Sequence, residues 1–231
     1  MILVPLLTAF IVPASAFTPT TAYRKTKIEG FEVLISPEVH ARPEDERKAV
    51  DFMQDKLRAA AAAIPPQCRE KMRGVRFWVE SEADPNAGAT FHQSKDWLSG
   101  HGMNPEKEHG VEIQNLKHAL DWGSSDQPMM LLHELSHGYM AIVLGNEYQP
   151  NKGAFDAARA RGIYDAVPYI HGGKLKAYAM QNEFEYFAEL SEAYFGKNDY
   201  FPFNREELQA HDPRGYAMIV KAWSNKGVCG P

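Results

Sequence analysis

His133 and His137 stand four residues apart in the run His133-Glu134-Leu135-Ser136-His137. On a helix that spacing puts both imidazoles on one face, about one turn apart, where two ring nitrogens can reach a single ion. Glu134 falls about 100° around the helix from His133, which suits a carboxylate beside an ion's water rather than in a ligand position. The chemistry such a trio serves is zinc-assisted hydrolysis. One ion lowers the pKa of its water towards about 7 and polarises a carbonyl, while the carboxylate moves the proton. The bland alternative is a pair of histidines on an amphipathic helix. With nine histidines in the chain, chance produces the pattern on the order of a few per cent of the time. The pattern alone therefore supports metal binding, and its surroundings must supply the rest.

A catalytic zinc takes a third protein ligand and keeps its fourth position open. The position ten residues after His133, which carries a histidine in the one-helix metzincin arrangement, is Val143, so that arrangement is excluded. The acid-rich segment from Gln181 to Phe195 is the natural source, because Glu185, Glu189 and Glu192 share one helical face. The competing reading is a solvated acidic stripe. His40, His92, His101, His109, His118, His171 and His211 show no ligand spacing with one another. The glycines of His171-Gly172-Gly173 would let the loop before Tyr178 move over a bound substrate.

The HELSH run, followed by Ala177-Tyr178-Ala179-Met180 and by Glu185-Tyr186-Phe187-Ala188-Glu189, resembles the catalytic domain of the anthrax lethal factor and Pro-Pro endopeptidase group of zincins. The resemblance covers roughly residues 111–196. In that pattern the glutamate before an aromatic-aromatic-Ala-Glu run is the third zinc ligand, and a tyrosine seven residues earlier points into the cleft. The resemblance thus implies one catalytic Zn²⁺ on His133, His137 and Glu185, with Tyr178 donating to the developing oxyanion. It also implies that Glu189 accepts a hydrogen bond from a ligand histidine. Asn182-Glu183 resembles the start of the thermolysin-type ligand helix, which leaves Glu183 as the alternative ligand, and Tyr169 competes with Tyr178 as donor.

Several elements must position these groups. Phe31 to Ile35, Val75 to Val79 and Val111 to Gln114 read as strands. Pro43 opens a helix whose apolar face runs through Val50, Met53, Leu57, Ala60 and Ile64. The metal-binding helix is expected from Asp126, with Pro128 in its first turn, to a stop at Gly145. Residues 151–165 and Asn182 to Phe195 read as helices, separated by a loop, and shorter helices start near Asn204 and at Asp212-Pro213. Strands come first and helices second, so the expectation is an α+β, zincin-like domain over 17–231. It divides into a strand-containing lobe at 17–145, built on a small mixed sheet, and a mostly helical lobe at 146–231.

A net charge of -5 leaves no surplus of Lys or Arg for phosphates or anionic lipid, so neither nucleic acid nor membrane is an expected partner. Residues 1–16 are uncharged, apolar from Ile2 to Val12 and close on Ala14-Ser15-Ala16, the pattern of a cleaved signal peptide. Cys68 and Cys229 are the only cysteines, and an even pair in an exported chain is expected to form a disulfide. The expected function is a secreted, monomeric zinc metallopeptidase that lays an extended peptide along an edge strand at Val111 to Gln114. The alternative from another class is a secreted zinc-binding module that recognises a peptide or partner without turnover.

Overall fold

The computed structural model describes residues 17–84, 88–125, 127 and 129–224. The leader expected at 1–16, the helix-start residues Asp126 and Pro128, and Cys229, the expected partner of Cys68, lie outside the described residues. Cys68 itself is buried, with Sγ 3.7 Å from the carbonyl oxygen of Trp223.

The described chain opens with a hairpin of β1 (Arg24–Ile28) and β2 (Phe31–Ile35). Its two turn residues, Glu29 and Gly30, have φ of 50° and 85°, as a tight hairpin with the twist of its strands requires. There follow α1 (Pro37–His40), α2 (Pro43–Ala63), α3 (Pro66–Lys71), β3 (Arg76–Val79), β4 (Ala89–Phe91), α4 (Lys95–Gly100) and β5 (Val111–Ile113). The sheet order is β1-β2-β3-β5-β4. The inner neighbours β2, β3 and β5 run parallel, and the outer pairs β1–β2 and β5–β4 are antiparallel.

Alternation along the strands sorts the residues onto two faces. Val33, Ile35, Phe77, Val79, Phe91, Val111 and Ile113 join Met53, Leu57 and Ala60 of α2 in the main core. Leu34 and Trp78 go to the other face, where Tyr23 meets Trp78 edge-on at 5.0 Å. Glu112 also points there and is fully buried. A buried carboxylate is tolerated only with partners, and Glu112 has His92 Nε2 at 2.6 Å and the Lys107 ammonium. Lys107 reaches on to Glu80 at 2.7 Å, and the Tyr23 hydroxyl donates to Glu80 at 2.6 Å.

This order corrects one expectation. β5 is an interior strand, flanked by β3 and β4 and buried at all three residues, so it offers no free edge. The edge is β4, three residues too short to stand out as a periodic segment. Gly88, Thr90 and His92 pair with β5, since Gln114 N–H donates to Gly88 O and His92 N–H donates to Gly110 O. By antiparallel alternation the N–H and C=O groups of Ala89 and Phe91 face away from β5.

After β5 come α5 (Leu116–Ser125), α6 (Met130–Tyr139), which continues as a π turn over Met140–Leu144, and a stop at Gly145 with φ 82°. Next are α7 (Gln149–Arg161), β6 (Val167–Pro168), β7 (Lys174–Leu175), α8 (Glu183–Phe195), α9 (Arg205–His211) and α10 (Pro213–Ala222). The segment expected as a loop before Tyr178 is instead the β6–β7 hairpin, turned by Gly172 and Gly173 with φ of 95° and 77°, followed by a 3₁₀ turn at Tyr178–Met180. Trp223 locks α6, α8 and α10 together. Its ring stacks on Tyr139 at 3.9 Å, and its Nε1 donates to Ser191 Oγ at 3.0 Å. One hydrophobic cluster runs from Ile28 to Trp223. The chain is therefore mixed α and β around a five-stranded mixed sheet, compatible with the α+β class expected from the order of its elements.

Candidate metal centre

The site is built by α6 lying against α8. α6 is buried along its whole length, because one side packs on the sheet and the other on α8. Gly138 makes the sheet contact close: a Cβ there would stand 3.2 Å from Cε2 of Phe91 on the edge strand. His133 and His137 emerge one turn apart, with ring centroids separated by 4.8 Å.

The start of α8 is set by Asn182, whose Oδ1 accepts hydrogen bonds from the N–H groups of Phe184 and Glu185, each at 2.9 Å. Capping there puts Glu185 in the first turn, where the helix dipole favours an acid. Glu185 Oε2 lies 3.0 Å from His133 Nε2 and 3.3 Å from His137 Nε2. Donors about 2.0–2.1 Å from a tetrahedral zinc stand about 3.3–3.4 Å from one another, so the three atoms fit the spacing of one ion's ligand set. Glu183, the alternative, belongs to no metal-competent group among the described residues, whereas His133, His137 and Glu185 form one.

The hydrogen bond expected from Glu189 is made by Glu192. His133 Nδ1 is 2.6 Å from Glu192 Oε1 and 3.7 Å from Glu189 Oε1. Glu192 lies two turns beyond Glu185, so it shares that residue's face and sits deeper along α8. Glu189 is fully buried, with the Asn198 side chain beside its carboxyl group. Burial and the neighbouring Glu192 carboxylate hold it well above the usual glutamate range. Glu192 is raised too, by burial, although His133 opposes the shift. Burial also disfavours charge on His133, but hydrogen bonds to Glu185 and Glu192 outweigh it and raise its pKa. Burial likewise pushes against ionised Glu185, and the two imidazoles win, taking its carboxyl well below the usual range.

A cleft of about 310 Å³ opens over the triad, and Glu134, Tyr178 and β4 residues Ala89 to Phe91 contribute to its lining. Glu134 is nearly buried but reaches this cleft. Tyr178 is 40% exposed, with its ring centroid 6.3 Å from that of His133. Burial, then the Glu185 carboxylate, raises its phenol above the ordinary value, so it stays a proton donor across the neutral range. Tyr169 lines a second, smaller cavity beside the first, and His133, Glu134 and Tyr178 line both. Sequence reasoning missed the edge strand and the role of Glu192. For Glu192 the signal was present in its seven-residue spacing from Glu185; for β4 nothing but a three-residue Ala-Thr-Phe marked it. No family model, curated protein or solved structure matches the chain.

Proposed function

We propose that this chain is an exported zinc-dependent metallopeptidase of the zincin type, acting on peptide or protein substrates. The observation that carries the reading is the position of Glu185 Oε2, within 3.3 Å of both His133 Nε2 and His137 Nε2, beneath a cleft that also presents Glu134 and Tyr178. A zinc ion held by these three residues would supply Lewis acidity at the scissile carbonyl and acidify the attacking water.

The chain's own residues do the remaining work. Ala89 and Phe91 offer outward N–H and C=O groups that pair with an extended peptide as an added strand. Glu134 takes the proton from the attacking water and delivers it to the leaving amine. Tyr178 donates a hydrogen bond to the carbonyl oxygen as negative charge develops there, an interaction that strengthens in the transition state. Glu192 holds His133 in the tautomer with Nδ1 protonated and Nε2 free to ligate. A purely structural zinc site would have no use for Glu134 and would fill its fourth position with protein. Among the described residues no helix is long and apolar enough to cross a membrane. The test is cleavage of a mixed peptide library by the zinc-loaded protein with and without a chelator; no chelator-sensitive cleavage would overturn the proposal.

A further inference from the structure

The second cavity, of about 210 Å³, opens directly off the reacting centre, because His133 and Glu134 belong to its lining. Tyr169, Tyr178 and Tyr200 wall it, and Ala89 brings the edge strand to its rim. Tyr169 and Tyr200 support each other: their centroids are 4.8 Å apart, and an isolated backbone bridge joins the two residues. A side chain projecting from a peptide laid along β4 would enter between these rings.

Among the described residues of the lining, Glu134 and Asp199 carry carboxylates, and Asp199 is the one that the reaction does not use. It is 6% exposed, yet it contributes to the cavity, alongside the half-buried Tyr169 and Tyr200. Its position is held: Asn198 Oδ1 accepts from its N–H at 3.0 Å, its carbonyl accepts from Ile170 N–H at 2.8 Å, and Gln127 hydrogen-bonds its carboxylate. Among the described residues no lysine or arginine lines the cavity. Lys176 lies in a neighbouring hollow bounded by Tyr178 and Tyr200. An anchored, largely desolvated carboxylate in a cavity with aromatic walls matches a cationic side chain with an apolar stem. The stem packs on the rings, the charge gains cation–π contact, and the tip makes a charge-assisted hydrogen bond. An uncharged apolar occupant would cover the carboxylate without supplying a countercharge, and an acidic one would be repelled.

Resting on the metallopeptidase reading above, we infer that this cavity is the subsite for a lysine or arginine side chain next to the scissile bond, with Asp199 as its specificity-determining residue. Burial raises the Asp199 carboxyl above the usual aspartate range, a cost that a bound cation relieves.

Two measurements on zinc-loaded protein test this. The first compares kcat/KM for peptides that carry lysine or norleucine at each residue flanking the scissile bond. Lysine is expected to win by about 10- to 100-fold at one flanking position, the range of a buried charge-assisted hydrogen bond. Asp199→Asn is expected to bring that ratio within about threefold. The second titrates N-acetyl-lysine amide against N-acetyl-norleucine amide into the Glu134→Gln variant, which needs no turnover. Equal affinities overturn the subsite, as does an unchanged lysine preference in Asp199→Asn. If that variant does not fold, the lysine-against-norleucine comparison with Asp199 in place decides alone. Lysine-selective binding with no cleavage of any peptide would leave the subsite standing and overturn the peptidase reading.

Discussion

His133 Nδ1 lies 2.6 Å from Oε1 of Glu192, a carboxylate 59 residues further along the chain. The contact ties His133 of α6 to the interior of α8 and leaves its Nε2 beside Glu185. Glu192→Gln should weaken zinc binding by about 10- to 100-fold, as loss of such a partner usually does. Glu189→Gln should weaken it much less. Chelator competition measures both, and equal losses would contradict the assignment.

Glu134→Gln removes the proton acceptor without touching a ligand. Zinc content should stay at one ion per chain, while peptide cleavage falls by about 10²- to 10⁴-fold. Full activity in this variant would exclude Glu134 as acid and base.

Glu185→Ala should lower bound zinc in metal analysis, and Glu183→Ala should not, since only Glu185 stands among the histidine nitrogens. The reverse result would move the third ligand to Glu183.

The pKa of His133 is raised in the protein without zinc, because Glu185 and Glu192 outweigh burial, so at neutral pH the site holds a proton that zinc must displace. Zinc uptake should therefore release protons, and affinity should rise with pH while His133 is protonated, by about tenfold per unit per proton. Cleavage should fall as pH drops below about 6 for the same reason. A titration that is flat from pH 5 to 8 would contradict this.

Burial works against ionised Glu112, but His92 and Lys107 prevail and lower its pKa from 4.5. A carboxyl whose pKa is lowered by folding stabilises the fold fully above its unfolded value. That stabilisation is lost as pH falls through the lowered one. Urea unfolding should therefore show a steep loss of stability below about pH 4.5, and Glu112→Gln, less stable at pH 7, should show a shallower one.

The parts of this site that obey local rules were legible in the sequence. Asn182 caps its helix, Gly145 ends the π turn after α6, and His133 with His137 declare their face by spacing. What could not be read depends on partners far along the chain. β1 and β4 are strands because β2 and β5 pair with them; β1 is mostly polar and β4 has three residues, so neither carries a hydrophobic period that announces it. Glu189 and Glu192 lie on the same helical face, and only the packing of α8 on α6 decides which of them meets His133. Asp199 sits in an irregular segment, so nothing in its sequence neighbourhood places it near Gln127 and the tyrosines.

The contact between Gly138 and Phe91 has an evolutionary side. Gly138 follows the second ligand directly, and the hydrogen atom it carries in place of a methyl group sets how low the edge strand rides over α6. Substitutions at this one position would push the strand outward by an amount set by side-chain size while leaving His133, His137 and Glu185 intact. Descendants of this chain thus have a route to reshape the cleft by remodelling a spacer, with the groups of the candidate centre inherited unchanged.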